Sequence, residues 1–375
     1  MKWLGVDVGG ANLKLADGSG YADSKPLALW RSPERLGAEL AQLLAEAPAA
    51  DALAIAMTGE LADCFATKAA GVRAIVAAVV GAASGRLVRV YGVDGRWREP
   101  KAACDHPGMV AASNWHALAV FATRYVKTFP GLLIDVGSTT TDIVRLDVGG
   151  PTPRGFDDTA RLLSGELIYS GVERTPLCAV VSSLPWRGAL CPVAAEVFAT
   201  TLDVYLMLGE LPELEQNCDA ADGRGRTREF AQARIARMIC SDSDRFTADD
   251  AVVAASAVRQ AQVATLADAA RRVASAAAGR TKTVVLTGHG EFLARAVVPH
   301  LIAGGDSVTL VSLCDLLGPQ ASRSAPAHAL AVLAAEQDAA CTVGESLGHL
   351  HHSPPAQATT AIQQDVQAAR RPMFR

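Results

Sequence analysis

No stretch of the chain approaches the ~20 consecutive apolar residues that a membrane-crossing helix needs; the alanine-rich segment 74–83 is far too short. A long basic block is missing as well, and the formal net charge is -4, which argues against nucleic acid as a partner. The eight cysteines include no CxxC pair, and the closest two, Cys178 and Cys191, are too far apart for a zinc knuckle. Reduced thiols in a cytoplasmic protein are therefore expected. No secretory signal is expected either: Met1 and Lys2 lead straight into an apolar run that Asp7 interrupts.

What the chain does have is apolar mass and an internal repeat. Half of its 375 residues are hydrophobic, enough for two cores. The run Leu4-Gly-Val-Asp-Val-Gly-Gly-Ala-Asn-Leu-Lys14 resembles Leu132-Leu-Ile-Asp-Val-Gly-Ser-Thr-Thr-Thr-Asp142. Asp7 pairs with Asp135, Gly9 with Gly137 and Lys14 with Asp142, each pair 128 residues apart. Each copy is an apolar run, a glycine-bearing turn and a second apolar run, the pattern of a β-hairpin. The expectation is an α/β protein of two lobes, 1–130 and 131–348, with a cleft between them and a disordered Pro-, Gln- and Thr-rich tail at 349–375.

Between and after the copies, strand and helix patterns alternate. Helices are expected over 36–47, 71–83, 107–126, 194–208, 227–239, 248–278 and 325–336, and from Glu291 onward. Strands are expected over 52–57, 86–93, 281–287 and 308–313, with short strands in 151–192 and a polar surface loop over 210–226.

An Asp at the end of a buried strand is costly unless it meets a cation or donors. Asp7 and Asp135 both stand there, and paired carboxylates suit Mg²⁺. Glycines at 9, 10 and 137 let backbone N–H groups approach phosphate oxygens. Asn12, Ser138, Thr139, Thr140 and Thr141 add polar side chains, and Lys14 a compact positive charge. A third glycine turn, Gly288-His289-Gly290, follows another strand. One Asp-x-Gly turn alone would be an ordinary hairpin corner; two in register plus the third turn point to phosphate and metal.

These three turns resemble the phosphate motifs of the actin, Hsp70 and sugar-kinase superfamily, with its duplicated ribonuclease H-like fold. Within it the chain is similar to the hydantoinase/oxoprolinase-related group. The narrower likeness is to tetrahydromethanopterin-linked C1-transfer pathway proteins, whose characterised archaeal members are methanofuran-biosynthesis synthases. It is carried by Met57-Thr-Gly-Glu60-Leu, Ala112-Ser-Asn-Trp115, Ile134 to Asp142, Leu286-Thr-Gly-His-Gly-Glu291 and, most specifically, Gly165-Glu-Leu-Ile-Tyr-Ser-Gly-Val-Glu-Arg-Thr-Pro176.

The resemblance implies an alkyl transfer: an (aminomethyl)furanylmethyl diphosphate joins the phenol of a tyramine- or tyrosine-derived acceptor and releases pyrophosphate. Mg²⁺ on Asp7 and Asp135 would meet the departing diphosphate, with Lys14 helping. The phenol needs a base, for which Asp142, Glu60 and Glu166 are candidates, Asp142 favoured because it follows the phosphate loop. Turn or helix-start duty is the plain alternative for both glutamates. Arg174 is a candidate clamp for carboxylate or phosphate, a surface salt bridge being equally compatible. Asn114 either caps a helix or touches ligand; Glu291 is a further substrate-side candidate, and Gly288 and Gly290 are assigned to phosphate. His289 and Glu291 crowd the third turn, which weighs against adenosine. Two alternatives stay open: an ATP-dependent kinase or hydantoinase/oxoprolinase-like enzyme, with ATP as cofactor, and a non-catalytic nucleotide-binding regulator. Small molecules, no nucleic acid and no membrane are the expected partners; homo-oligomerisation is left open.

Overall fold

The computed structural model describes residues 1–302 and 307–348, with side chains through residue 340. The chain divides into a unit of Met1–Ala335 and a second unit from Glu336 onward, whose described part is the end of the last helix. The proposed tail at 349–375 lies outside the described residues.

The first sheet gathers β1 (Trp3–Val8), β2 (Asn12–Ala16), β3 (Ala22–Pro26), β4 (Ala52–Met57), β5 (Leu87–Tyr91) and β6 (Trp97–Arg98) in the order β3-β2-β1-β4-β5-β6. β4 lies parallel to β1 and β5, while β2 returns antiparallel beside β1. Four helices accompany this sheet: α1 (Leu36–Glu46), α2 (Lys68–Ala82), α3 (Pro100–Asp105) and α4 (Asn114–Thr123).

The second sheet repeats the plan with β7 (Gly131–Val136), β8 (Thr141–Asp147), β9 (Gly150–Pro151) and β10 (Leu167–Ile168), and a hairpin of β11 (Ser183–Trp186) and β12 (Ala189–Pro192) stands apart from it. After α5 (Asp158–Ser164), α6 (Thr201–Met207), α7 (Arg228–Met238) and α8 (Ala248–Ala274) come β13 (Thr283–Thr287), α9 (Glu291–Val297) and β14 (Thr309–Ser312). Their order is β10-β8-β7-β13-β14, with β13 parallel to both β7 and β14. α10 (Leu313–Leu317), α11 (Pro319–Arg323) and α12 (Ala325–Gly348) close the chain. Two five-strand cores of the same order and the same strand directions make this the duplicated, ribonuclease H-like architecture of actin-like ATPases.

Period-2 alternation sorts the central strands into two buried faces. In β4, Leu53, Ile55 and Met57 join Val6, Val8 and the inner side of α1 and α2, while Ala52, Ala54 and Ala56 face the other way. The alanine face meets Ala117 of α4 and Leu330 and Ala334 of α12, small side chains that let helix and sheet approach closely. In the second sheet Leu132, Ile134, Val136, Val284 and Leu286 pack under α6 to α9, and Leu133, Val144 and Val285 meet Trp115, Leu118 and Phe121 of α4 and Ala325 and Ala329 of α12. α4 and α12 thus lie between the sheets and belong to both cores.

Two helix expectations need correction. The segment 107–126 is not one helix: a short 3-10 turn ends at Met109, Ala112 takes a left-handed φ of 48°, and α4 begins only at Asn114. The segment 194–208 is helical only from Thr201, where Thr200 and Asp203 form a capping box. α3 was not expected at all; Pro100 at its first turn is its local signal. Among the described residues no helix is long and apolar enough to cross a membrane.

Candidate functional site

Strand alternation aims the acidic residues. Val6 and Val8 point into the outer core, so Asp7 between them points to the face shared with α4; Ile134 and Val136 do the same for Asp135. Directly opposite on the partner strands, and so on the same faces, stand Lys14 (against Asp7) and Asp142 (against Asp135). The two turns match bond for bond: Gly9 N–H donates to Asn12 O at 3.0 Å, and Gly137 N–H to Thr140 O at 2.8 Å. The repeat seen in the sequence is therefore a repeat of geometry.

Both turns open on one cleft of about 320 Å³. It is lined by Asp7, Gly9, Gly10, Asn12, Lys14, Asn114, Asp135, Gly137, Ser138, Thr139, Thr140, Asp142 and Arg174 among the expected residues. Trp30, Asp158 and Arg161, which no local pattern had marked, line it too, as does Tyr169 of the Gly165–Pro176 motif.

Its electrostatics are strained by burial. Asp7 is 2% exposed; Asn114 Nδ2 donates to Oδ2 at 3.4 Å, and Oδ1 has no partner. Burial raises its pKa, with Lys14 and Asn114 pulling the other way. Asp135 is pushed up to about 7 by burial and by Asp142, against the pull of Lys14. Asp142 is also raised by burial, while Arg161, whose Nη1 donates to Oδ1 at 2.8 Å, opposes the rise. Arg161 is 1% exposed, donates from Nη2 to Glu166 O, and stacks 3.9 Å above the Trp115 ring.

An orphaned carboxylate oxygen beside a second carboxylate raised towards neutrality is a donor set that fits a divalent cation. Among the described residues no group of three or more His, Cys, Asp or Glu side chains is placed to hold a metal. Asp7 and Asp135 are a pair, and Mg²⁺ is usually held by one or two carboxylates with water and phosphate oxygens.

The Gly165–Pro176 segment braces the second turn. The N–H of Val172 donates to Gly137 O, and those of Glu173 and Arg174 both donate to Ser138 O. Gly171 passes so close that an added Cβ would sit 2.5 Å from Gly137 O. Gly171→Ala is expected to displace this turn and weaken Mg-pyrophosphate binding about tenfold or more, read by calorimetry, with the first turn untouched. Unchanged affinity would mean the second turn does not touch the anion.

Several expected residues are placed elsewhere. Glu166 accepts from Arg154 N–H, Gly155 N–H and Ser164 Oγ, so it anchors the loop around α5 and is not a base in the cleft. Glu291 accepts from Ser312 Oγ, Arg295 and Cys314 N–H at the start of α9 and does not reach the cleft. Thr141 Oγ1 donates to Ser170 O. Gly288, at φ 95°, and Gly290 pack on the end of β7, the Gly290 N–H donating to Val136 O, and neither lines the cleft. His289 pairs with Glu173 at 3.2 Å. A residue type alone does not reveal which way a carboxylate turns.

Glu60 sits just behind the cleft wall, 1% exposed, and neither carboxyl oxygen has a hydrogen bond of ordinary geometry. Burial pushes it up to about 7, although the N–H groups of Glu60 and Ala112 oppose the rise. An acid whose folded pKa lies above its unfolded value is penalised most above the folded pKa and not at all below the unfolded one. Glu60→Gln is therefore expected to raise the melting temperature by a few degrees at pH 8 and to have little effect at pH 4. Loss of turnover with no change in stability would restore Glu60 as a candidate base.

The hydantoinase/oxoprolinase profile matches residues 51–337. The (4-{4-[2-(gamma-L-glutamylamino)ethyl]phenoxymethyl}furan-2-yl)methanamine synthase of Methanocaldococcus jannaschii is 30% identical over 338 residues, 89% of this chain and 98% of that protein. The synthase of the same name from Methanococcus vannielii is 28% identical over 202 residues, 54% of this chain and 89% of its own. Among solved structures, nucleotide-free acetone carboxylase is 12% identical with a TM-score of 0.48, covering 80% of this chain and 67% of that one. An archaeal actin homologue is 14% identical with a TM-score of 0.43, covering 90% and 100%. With three quarters of its length matched by the profile and nearly the whole of one synthase aligned to it, the chain belongs to the hydantoinase/oxoprolinase family.

Proposed function

We propose that the protein is an aryl-ether-forming transferase of methanofuran-type cofactor biosynthesis. It joins an (aminomethyl)furanylmethyl diphosphate to the phenol of a tyramine- or tyrosine-derived acceptor. The observation that carries this reading is the alignment with 98% of the Methanocaldococcus jannaschii synthase, whose name describes such an ether. The two facing acidic-glycine turns support it, because they present phosphate-binding groups and a carboxylate pair at one place.

In this reading the phenol oxygen forms a bond to the furfuryl carbon, and the bond from that carbon to the diphosphate oxygen breaks with its electron pair leaving on pyrophosphate. Backbone N–H groups at Gly10 and 138–140, with Lys14, bind and orient the diphosphate. Asp7 and Asp135 would hold Mg²⁺, which would supply charge neutralisation for the leaving group. Asp142 takes the phenol proton, with Arg161 holding its carboxylate in place and opposing the rise that burial causes. The packing of the third turn against β7 and the His289–Glu173 pair favour a ligand smaller than a nucleotide.

The test is incubation with the furanyl diphosphate, the phenol and Mg²⁺, following ether by mass spectrometry and pyrophosphate by a coupled assay. Ether and pyrophosphate in equal amounts are expected. Hydrolysis or transfer of ATP phosphate with no ether formed would overturn the reading.

A further inference from the structure

We propose that the mouth of the cleft, where Arg174 lies on the Trp30 ring beside Tyr169, seats a carboxylate carried on the arm of the phenolic acceptor; this rests on the ether-forming reading above. Three cations line the cleft. Lys14 is set among the carboxylates of the turns, and Arg161 is spent on Asp142. Arg174 makes no ion pair among the described residues, and its guanidinium rests 4.1 Å from the centroid of Trp30. Its backbone N–H is fastened to Ser138 O, so the side chain starts from the brace of the second turn. Trp30 comes from the loop after β3, so the pair is made across the cleft from both halves of the fold.

Depth separates Arg174 and Tyr169 from the phosphate site. Arg174 and Tyr169 are exposed, Tyr169 by 59%, whereas Asp7 is buried and Lys14, Asp135 and Asp142 are half-buried. If the phenol oxygen meets the furfuryl carbon beside the turns, a para substituent points the opposite way along the ring axis, back to the mouth. The indole and the phenol ring of Tyr169 both line the cleft, and a guanidinium already flattened on an aromatic face keeps its N–H fork free for a planar carboxylate. Such a carboxylate has two chemical sources: the α-carboxylate of a tyrosine-type arm, or that of a γ-glutamyl group added to a tyramine arm. The arrangement serves either.

Calorimetric binding of matched phenols separates them without relying on turnover. One pair is N-acetyltyrosine against N-acetyltyramine; the other is γ-glutamyltyramine against γ-aminobutyryltyramine, which differs only by the missing carboxylate. At least one pair is expected to show about tenfold tighter binding of the carboxylate form to the wild type. Arg174→Met should erase that gain, leave the carboxylate-free partner unchanged and leave Mg-pyrophosphate affinity unchanged. Arg174→Lys should keep part of the gain, and Trp30→Leu should reduce it by removing the brace. The pair showing the gain identifies the source. No gain in either pair, a gain that survives Arg174→Met, or an equal loss of pyrophosphate affinity would overturn the proposal. Failure of the ether assay with the carboxylate gain intact would defeat the reaction while leaving this binding site standing.

Discussion

Asp135→Asn is expected to lower ether formation by about three orders of magnitude while making the ligand-free protein harder to unfold. Both effects come from one fact. Asp135 is half-buried, and its desolvation, with Asp142 directly opposite and Asp7 on the facing hairpin, raises it to about 7 against the pull of Lys14. Its unfolded value is near 4. The folded protein therefore binds this proton more tightly than the unfolded chain, so stability falls as pH rises from about 4 to about 7 and the penalty is complete above that. Asparagine keeps the shape and drops the charge. Its gain in melting temperature should be largest at pH 8, shrink to nothing near pH 4, and be reversed when Mg-pyrophosphate is added, since only the wild type can use the ligand's energy. Thermal melts at the two pH values with and without Mg-pyrophosphate, alongside turnover, check this. Full activity in Asp135→Asn would remove the cleft as the seat of the chemistry.

Arg161→Ala should be the most destabilising single change at the site, by about 3–5 kcal/mol in urea unfolding. The guanidinium is fully enclosed, and three groups depend on it: the Asp142 carboxylate, the Glu166 carbonyl and the Trp115 face. Removing it strands a half-buried carboxylate and a carbonyl and leaves a void. Arg161→Ala combined with Asp142→Asn should cost less than the sum of the two changes, because asparagine no longer needs a counter-charge. Additive costs would show that Arg161 acts through packing on Trp115 alone.

The hairpins and their turns were legible because burial, alternation and a glycine turn act within a dozen residues, and they recur at one spacing. The pairing of Asp7 with Lys14 and of Asp135 with Asp142 follows from turn length alone once the hairpins are granted. Arg161 was not legible: in α5 it is one more helical arginine, and its role depends on Asp142, 19 residues earlier, and on Trp115 of another helix. Trp30 likewise sits in an unpatterned loop, and only the approach of Arg174 from the other half gives it meaning. Glu166 and Glu291 failed for the converse reason. Each follows a glycine in a motif near the cleft, yet nearby N–H and hydroxyl donors turn it away. The break in the 107–126 helix rests on one left-handed alanine, which apolar spacing does not reveal.

The place of α12 governs the order in which the protein can be made. Its residues 325–334 finish the inner faces of both sheets, together with α4. A ribosome emits β1 more than three hundred residues before the helix that covers it. Throughout that interval the alanine face of β4 and the Leu133 side of β7 lack the cover of α12, and the nascent chain must be kept from sticking to its neighbours. The cleft is therefore a late product of synthesis: its two turns form early and separately, and one of the helices between the sheets arrives last.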